Sequence, residues 1–254
     1  MELRAVLFDI DDTLYSTTSF AAMARRRSAE ALRRLGVAVP VSLLLRELDE
    51  IIAEFSSNDE RHYQRLLQRL PRRTYEGLNP AILIAGAVKA YHETKSRLAP
   101  FPDVRPALRA LARTDLIRGV ITAGLEIKQA EKLLRLGVYH WLTPSAIFIS
   151  DQIGISKPNP KLYRRACAEL GVRPEETVYV GDNPLTDIDP ANQIGMITCL
   201  CNRGGKHARL PGRTRPAHVI RDFGQLLRIL ERTYGVRLGR RSTRPAPRAS
   251  APGL

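Results

Sequence analysis

The sequence predicts an α/β fold, with a doubly wound, mainly parallel sheet core and an inserted all-helical cap domain. Two observations lead to this prediction. Strand-length apolar runs alternate with helical patterns over the part of the chain that follows residue 100, as in a doubly wound α/β domain. By contrast, residues 16–99 show helical periodicity and no convincing strand, which indicates a separate helical segment.

The first strand is predicted at residues 5–8, where every position is apolar. A strand of this kind is typical of a parallel sheet that is buried on both faces. The strand runs directly into the acidic segment Asp9-Ile10-Asp11-Asp12-Thr13. We therefore expect these acids at the carboxyl end of a buried strand.

Helical periodicity then defines the insert, whose first helix is predicted to stop at Gly36. The predicted helices of the insert are 20–35, 40–55, 59–70 and 80–95. After the insert, helices are predicted at 104–113, 127–136, 161–170, 190–194 and 223–234. Strands are predicted at 117–121, 146–150, 177–180 and 196–201.

These elements divide the chain into three parts. Residues 1–15 and 100–234 are predicted to form the α/β core, and residues 16–99 are predicted to form a helical cap. Residues 235–254 contain five arginines, three prolines and no acid. Because this segment has no apolar periodicity, we predict a disordered basic tail.

The chain is basic, with 40 Lys and Arg against 26 Asp and Glu and a formal net charge of +14. Such an excess can indicate a polyanionic partner, but outside the tail the basic residues do not cluster, so nucleic acid is not expected.

The longest apolar run, roughly residues 78–88, is shorter than the ~20 residues that cross a bilayer. The first residues do not resemble a secretory signal, and three cysteines suggest no disulfide framework. We therefore expect a cytoplasmic protein without a membrane partner.

Polar residues follow four of the predicted strands, at the edge where ligands bind to open α/β sheets. These residues are Asp9 and Asp11 after the first strand, Thr122, Ala123 and Gly124 after the second, Lys157 after the third, and Asp182 and Asp187 after the fourth. Clustered carboxylates repel one another by about 4 kcal/mol per pair at ~4 Å and an effective dielectric constant of ~20. Such a cluster needs a cation, and a set of oxygen ligands alone suits Mg²⁺.

A phosphate ester would bring further negative charge, which Mg²⁺ and a lysine can offset. A carboxylate can attack phosphorus and form an acyl phosphate. A second carboxyl group two residues later can protonate the leaving oxygen and then activate water. The residues at the strand ends therefore point to phosphoryl transfer.

At this point the motifs resemble those of the haloacid dehalogenase superfamily, which has a Rossmann-like core. Asp9-Ile10-Asp11-Asp12-Thr13 resembles motif I, and Thr122 stands at motif II. Lys157-Pro158-Asn159-Pro160 resembles motif III, and Gly181-Asp182 through Asp187 resembles motif IV. The insert after motif I is similar to the helical cap of the first subclass. The segments YHETK (91–95), KQAEKLLRLG (128–137) and KPNP (157–160) resemble the archaeal-type subgroup that is glyceraldehyde 3-phosphate phosphatase-like.

This resemblance implies roles for individual residues. Asp9 would be the nucleophile and a Mg²⁺ ligand, and Asp11 the general acid/base and a ligand through its backbone carbonyl. Thr122 would donate a hydrogen bond to the phosphoryl group, and Lys157 would neutralise its charge. The predicted catalytic residues are Asp9, Asp11, Thr122 and Lys157; the predicted substrate-binding residues are Thr122, Ala123, Gly124 and Lys157; the predicted metal ligands are Asp9, Asp11, Asp182 and Asp187.

The chain departs from the family pattern at two places. Thr122-Ala123-Gly124 lacks the Asn or Asp that often follows the hydroxyl residue. In Asp189-Pro190-Ala191, proline stands at the position where relatives usually have a glycine before the alanine. We interpret Asp189 as a helix N-cap and Pro190 as the first helical residue. The basic loop 204–207 follows the last predicted strand. We expect it to be solvated, and contact with a substrate phosphate is the alternative.

The sequence thus predicts a Mg²⁺-dependent phosphatase that hydrolyses a small phosphorylated metabolite through an aspartyl phosphate. The resemblance also implies a possible homodimer. A phosphomutase or another phosphotransferase of the same superfamily is the alternative enzyme. From a different class, a module that binds nucleic acid or phosphoprotein through a vestigial site is the remaining alternative.

Overall fold

The structure is a computed structural model that describes residues 2–57 and 59–239. The strands are β1 (Ala5–Phe8), β2 (Ile117–Thr122), β3 (Ile147–Ile149), β4 (Thr177–Gly181), β5 (Ile197–Cys201) and β6 (His218–Ile220). The helices are α1 (Thr17–Arg34), α2 (Val41–Phe55), α3 (His62–Arg69), α4 (Pro80–Thr94), α5 (Val104–Leu111), α6 (Glu126–Leu136), α7 (Ser150–Ile153), α8 (Pro160–Glu169), α9 (Asp189–Gln193) and α10 (Phe223–Tyr234). Most of the predicted basic tail, residues 240–254, lies outside the described residues.

The six strands form one parallel sheet in the order β3-β2-β1-β4-β5-β6. The chain builds outward from β1 through β2 to β3 and then returns to the other side of β1 with β4. This reversal creates a crevice at the carboxyl ends of β1 and β4, which is where ligands bind in open α/β sheets. The predicted α/β fold class with a parallel sheet is confirmed.

Both faces of the sheet are covered, because β1 is buried at every position. On one face, Leu7 belongs to an apolar cluster that includes Tyr163 and Ala166 of α8. On the other face, Phe8 stacks on Phe223 of α10, with ring centroids 5.3 Å apart. Helices on both faces are what make the sheet doubly wound.

Strand β6, which has three residues and lies at the edge of the sheet, was not predicted from the sequence. Val219 in the middle of this strand is exposed, whereas Ile220 is buried. Three residues with one buried position are too few to produce a recognisable strand pattern. Backbone pairing with β5 holds the strand in place.

Residues Thr17–Leu98 form a compact unit of their own, and the described residues of 1–16 and 99–254 form another. The smaller unit contains α1–α4 and no strand among its described residues. Its core combines Leu32 of α1 with Leu44, Leu48 and Ile51 of α2, and the three α2 residues share one face at helical spacing. The insert is therefore helical as predicted, while its role as a cap stays a prediction.

The structure corrects the interpretation of Asp189 as an N-cap. Helix α9 begins at Asp189 itself, so that Pro190 is its second residue and not its first, and the Asp189 side chain does not cap the helix. Instead, the carboxylate accepts hydrogen bonds from the backbone N–H groups of Arg213 and Thr214 and from the Thr214 hydroxyl, at 2.7–3.1 Å. Asp189 therefore fixes the loop between β5 and β6, a contact between residues that are 24 and 25 positions apart.

We expect Asp189→Ala to lower the free energy of unfolding by about 1–2 kcal/mol, because hydrogen bonds to a charged acceptor contribute more than neutral ones. Burial alone would raise the pKa of Asp189, but the hydrogen bonds from Thr214 and Arg213 outweigh it and hold the pKa below its ordinary value. The contribution is therefore present above about pH 4 and is lost as the pH falls through the folded-state pKa. Urea unfolding of wild type and Asp189→Ala at several pH values measures this contribution to the free energy of unfolding. A loss no larger than that of Glu76→Ala, a change at an exposed acid, would contradict this role.

Candidate active site

The carboxyl end of the central strand β1 supplies the first acid of the site. Asp9 follows β1 directly, and its backbone N–H donates to the Val180 carbonyl of β4 at 2.8 Å. The pairing of β1 with β4 therefore continues to Asp9 and fixes the base of its side chain. The carboxylate is buried, and Lys157 Nζ donates to Asp9 Oδ1 at 2.6 Å.

Lys157 lies between α7 and α8, and its ammonium group connects the acids of the site. Nζ also donates to Asp187 Oδ1 and to the Tyr179 hydroxyl, each at 2.7 Å. Only 4% of the Lys157 side chain is exposed. Burial alone would lower the pKa of Lys157, but Asp187 and Asp9 outweigh it and raise the pKa. Lys157 is therefore a fixed positive charge beside Asp9.

Tyr179 of β4 supports this lysine and was missed in the sequence analysis. Its hydroxyl oxygen lies 2.7 Å from Lys157 Nζ, 3.0 Å from the Ile121 carbonyl oxygen and 3.3 Å from Asp187 Oδ1. Tyr179 is fully buried. The available signal was a tyrosine between two valines in the middle of a predicted core strand, since a buried tyrosine hydroxyl needs a partner.

Three carboxylates meet where β1 and β4 end. Asp9, Asp182 and Asp187 each place one oxygen so that the three atoms lie within 4.8 Å of one another. Gly181 permits this approach, because a Cβ atom there would lie 2.5 Å from the Asp187 carboxyl carbon. Asp187 lies in a π-helical turn, Pro184–Ile188, and accepts the Asn183 N–H at 3.0 Å.

This acidic trio has the composition of a divalent-metal site. Burial raises the pKa of Asp9, and Asp187, Asp11 and Asp182 raise it further, whereas Lys157 acts in the opposite direction. Burial also raises the pKa of Asp182. A cation among the three oxygens would offset the repulsion between the carboxylates and lower their pKa values, so that the acids stay ionised. Oxygen ligands fit a hard divalent cation such as Mg²⁺, so the residues present fit the metal that the motifs imply.

The side chain of Asp11, the fourth predicted metal ligand, is not part of the acidic trio. Its carboxylate contacts Lys132 Nζ, which lies 2.7 Å from both oxygens, and the Tyr15 hydroxyl, at 2.7 Å from Oδ1. Gln129 Nε2 lies 3.3 Å from Oδ2. The role predicted for the Asp11 backbone carbonyl stays a prediction. Lys132 and Gln129 were not predicted as site residues. The sequence signal for Gln129 was its position at helical spacing from Leu133 and Leu136, on the apolar face of α6.

The end of β2 brings a buried hydroxyl to the same edge of the sheet. Thr122 Oγ1 is buried and has no hydrogen-bond partner among the described residues, which suits a group that binds a phosphoryl oxygen. The Gly124 N–H donates to the Ser150 hydroxyl at 3.0 Å, and the Ala123 carbonyl accepts from Gln129 Nε2 at 2.9 Å. The predicted substrate contacts of Ala123 and Gly124 stay predictions, and these two backbone groups have partners within the protein.

The loop after β5 contributes a histidine, contrary to the expectation of a solvated loop. His207 Nδ1 lies 2.8 Å from Asp182 Oδ2, and His207 Nε2 lies 3.2 Å from Asn183 Nδ2. The expectation is wrong for His207 because the loop folds back over the end of β4. Sequence spacing could not reveal this contact, since 25 residues separate His207 from Asp182.

Comparison with known proteins places the chain among hydrolases. The profile of the haloacid dehalogenase-like hydrolases matches residues 3–195. The chain is 45% identical over 206 residues to a glyceraldehyde 3-phosphate phosphatase from Methanopyrus kandleri, covering 80% of this chain and 85% of that protein. It is 37% identical over 236 residues to a protein of the same name from Pyrococcus furiosus, covering 92% and 95% of the two chains.

Solved structures show the same fold. A phosphatase of this superfamily from Thermococcus onnurineus matches with a TM-score of 0.64 and 24% identity, over 94% of this chain and 100% of that chain. A 2-haloacid dehalogenase from Pseudomonas syringae matches with a TM-score of 0.62 and 26% identity, over 91% and 99% of the two chains.

These similarities confirm the predicted superfamily, its archaeal phosphatase-like subgroup and a phosphatase as the enzyme class. Hydrolases of this superfamily generally use a divalent metal, and the acidic trio is a group of carboxylates that could hold one. None of the helices in residues 2–57 and 59–239 has both the length and the apolar character that a bilayer crossing requires. The match over residues 3–195 and the relatives that align with most of their length lead to one conclusion: the chain belongs to the haloacid dehalogenase-like hydrolase family.

Proposed function

We propose that the protein is a Mg²⁺-dependent phosphatase that acts on glyceraldehyde 3-phosphate or a phosphate monoester of similar size. The observation that carries this proposal is the position of Lys157, whose ammonium group contacts both the nucleophile Asp9 and Asp187, a second member of the acidic trio. This arrangement provides a carboxylate for attack on phosphorus and positive charge next to it. The two relatives named glyceraldehyde 3-phosphate phosphatase support the choice of substrate.

In the proposed reaction, Asp9 attacks phosphorus and forms an aspartyl phosphate, while the ester oxygen leaves with a proton from Asp11. Lys157 and the Thr122 hydroxyl contact phosphoryl oxygens. Asp11 then removes a proton from water, which attacks phosphorus and restores the Asp9 carboxylate. Asp9, Asp182 and Asp187 would hold Mg²⁺, which would supply positive charge next to the phosphoryl group.

The proposal extends to location and assembly. All three cysteines, Cys167, Cys199 and Cys201, are buried and free, which supports the reducing cytoplasm as the compartment. The homodimer that the family resemblance implies also stays a proposal. Light scattering coupled to gel filtration of the full chain measures it directly, with a single species of monomer mass as the contrary result.

Phosphate release from a panel of esters tests the proposed function. We expect turnover of glyceraldehyde 3-phosphate, a smaller kcat/KM for glycerol 3-phosphate and no halide release from 2-chloropropionate. EDTA should lower turnover at least about 100-fold, because the metal supplies several kcal/mol of charge stabilisation, and Mg²⁺ should restore it. Turnover that is unchanged in EDTA would contradict the metal requirement.

The same panel separates the alternatives. A phosphomutase would transfer the phosphoryl group to a second hydroxyl and release little inorganic phosphate. A binding module with a vestigial site would release no phosphate from any ester, with or without Mg²⁺. In that case, retention of RNA or DNA that falls steeply with salt would identify the module.

A further inference from the structure

The two acids of motif I are each paired with a different lysine. Lys157 contacts Asp9, whereas Lys132 of α6 contacts both oxygens of Asp11. Lysine is scarce in this chain, because seven of the 40 basic residues are lysines and the other 33 are arginines. The reaction proposed above uses Lys157 and leaves Lys132 without an assigned role.

Lys132 acts together with two neighbours that reach the same carboxylate. Gln129 lies one turn earlier on α6, so that both side chains project from one face of the helix. Tyr15 reaches Asp11 from the chain segment that follows motif I. The Lys132 ammonium group also lies 5.9 Å from the centroid of the Tyr15 ring, which is close enough for a cation–π interaction.

These donors restrict the orientation of the Asp11 carboxyl group. A carboxylate has about four lone-pair directions. Lys132 reaches both oxygens, Tyr15 reaches Oδ1, and Gln129 reaches Oδ2. The Asp11 side chain is 30% exposed and the Lys132 side chain 22%. Asp11 can therefore contact a substrate oxygen by exchanging one donor while the remaining donors hold the group in place.

We infer that Lys132 is a positioning residue, which sets the orientation in which Asp11 meets the leaving-group oxygen of the substrate. This inference rests on the proposed function, because it takes Asp11 as the acid of that reaction. An ammonium group suits this task, because it is a compact charge with three N–H donors at the end of a flexible stem. Lys132 can therefore stay hydrogen-bonded to one carboxylate oxygen of Asp11 while the other oxygen contacts the substrate. Lys132 acts through Asp11, so its loss should lower the rate of leaving-group departure and leave substrate affinity nearly unchanged.

The test compares wild type with Lys132→Met, Lys132→Gln and Lys132→Arg. Lys128→Met is the matched control, since Lys128 lies one turn away on α6 and is exposed. Single-turnover release of the leaving group is measured with para-nitrophenyl phosphate, which needs little protonation, and with glyceraldehyde 3-phosphate, which needs more. KM and thermal melting are measured in parallel, with Mg²⁺ present throughout.

For Lys132→Met we expect the first step with glyceraldehyde 3-phosphate to slow by about 10- to 100-fold more than with para-nitrophenyl phosphate. This loss is smaller than the roughly 10²- to 10⁴-fold effect of a general acid itself, because Asp11 is still present. KM should change less than about threefold, Lys132→Arg should recover part of the rate, and Lys128→Met should match wild type. If Lys132→Met does not fold, the same comparison is made with Lys132→Gln, which keeps a hydrogen-bond donor and lacks the charge.

An equal loss with both leaving groups, or a rise in KM at unchanged kcat, would overturn the positioning role. A lower melting temperature with unchanged rates would show that Lys132 is only structural and would also overturn it. These outcomes differ from failure of the proposed function, in which wild type itself turns over no phosphate ester. That result would remove the basis of both proposals.

Discussion

Asp9→Asn is expected to lower phosphatase turnover at least about 10³-fold, equivalent to about 4 kcal/mol of transition-state stabilisation. The amide cannot attack phosphorus as a carboxylate does, and no acyl phosphate can form on it. The fold should persist, because the backbone N–H of residue 9 still pairs with the Val180 carbonyl. Inorganic phosphate release with Mg²⁺ at saturating substrate measures the effect.

Asp115→Asn is the control for this variant, because it makes the same chemical change at an exposed acid just before β2. It should keep wild-type turnover. Circular dichroism and thermal melting establish that Asp9→Asn is folded. A folded Asp9→Asn protein that retains more than about a tenth of wild-type turnover would remove Asp9 from the nucleophile's role.

Lys157→Met is expected to have the second large effect. The change removes the cation that contacts both Asp9 and Asp187, and kcat should fall by about 10²- to 10³-fold through loss of charge stabilisation at the phosphoryl group. The free energy of unfolding should also fall by about 3–5 kcal/mol without metal, because two buried carboxylates lose their partner. Added Mg²⁺ should recover part of this stability by binding among the acids.

Lys161→Met is the matched control, since Lys161 is an exposed lysine four residues later at the start of α8. Lys157→Arg tests charge against shape. The Lys157 side chain is only 4% exposed, and its ammonium group has three close partners. A larger planar guanidinium group does not fit this space, so Lys157→Arg should not restore activity. Wild-type activity in either Lys157 variant would contradict the assigned role.

The positions of the strand ends, and of the acids that follow them, could be predicted best from the sequence. The strands predicted at 5–8 and 177–180 correspond to β1 and β4, and the carboxyl ends of parallel strands lie at one edge of the sheet. That geometry, with the family's motifs, was enough to expect Asp9 and Asp182 near each other. The acidic trio has this arrangement.

Contacts between distant segments were not predictable. Lys132 and Asp11 are 121 residues apart, and His207 and Asp182 are 25 apart. Local patterns report on neighbours within a turn or a strand, whereas these pairs depend on how α6 and the loop after β5 pack on the sheet. Asp189 illustrates the same limit, because an Asp-Pro pair fits a helix start locally, yet the carboxylate binds a loop more than twenty residues away.

The most direct test of the central claim is to identify the residue that carries the phosphoryl group during turnover. The protein is mixed with glyceraldehyde 3-phosphate and Mg²⁺, quenched in acid, reduced with borohydride and digested for mass spectrometry. We expect conversion of residue 9 to homoserine, the product of reducing an aspartyl phosphate. We expect more of this product in Asp11→Asn, where water activation is impaired, and none in Asp9→Asn. Efficient turnover without modification of residue 9, or with modification of another side chain, would show that Asp9 is not the nucleophile.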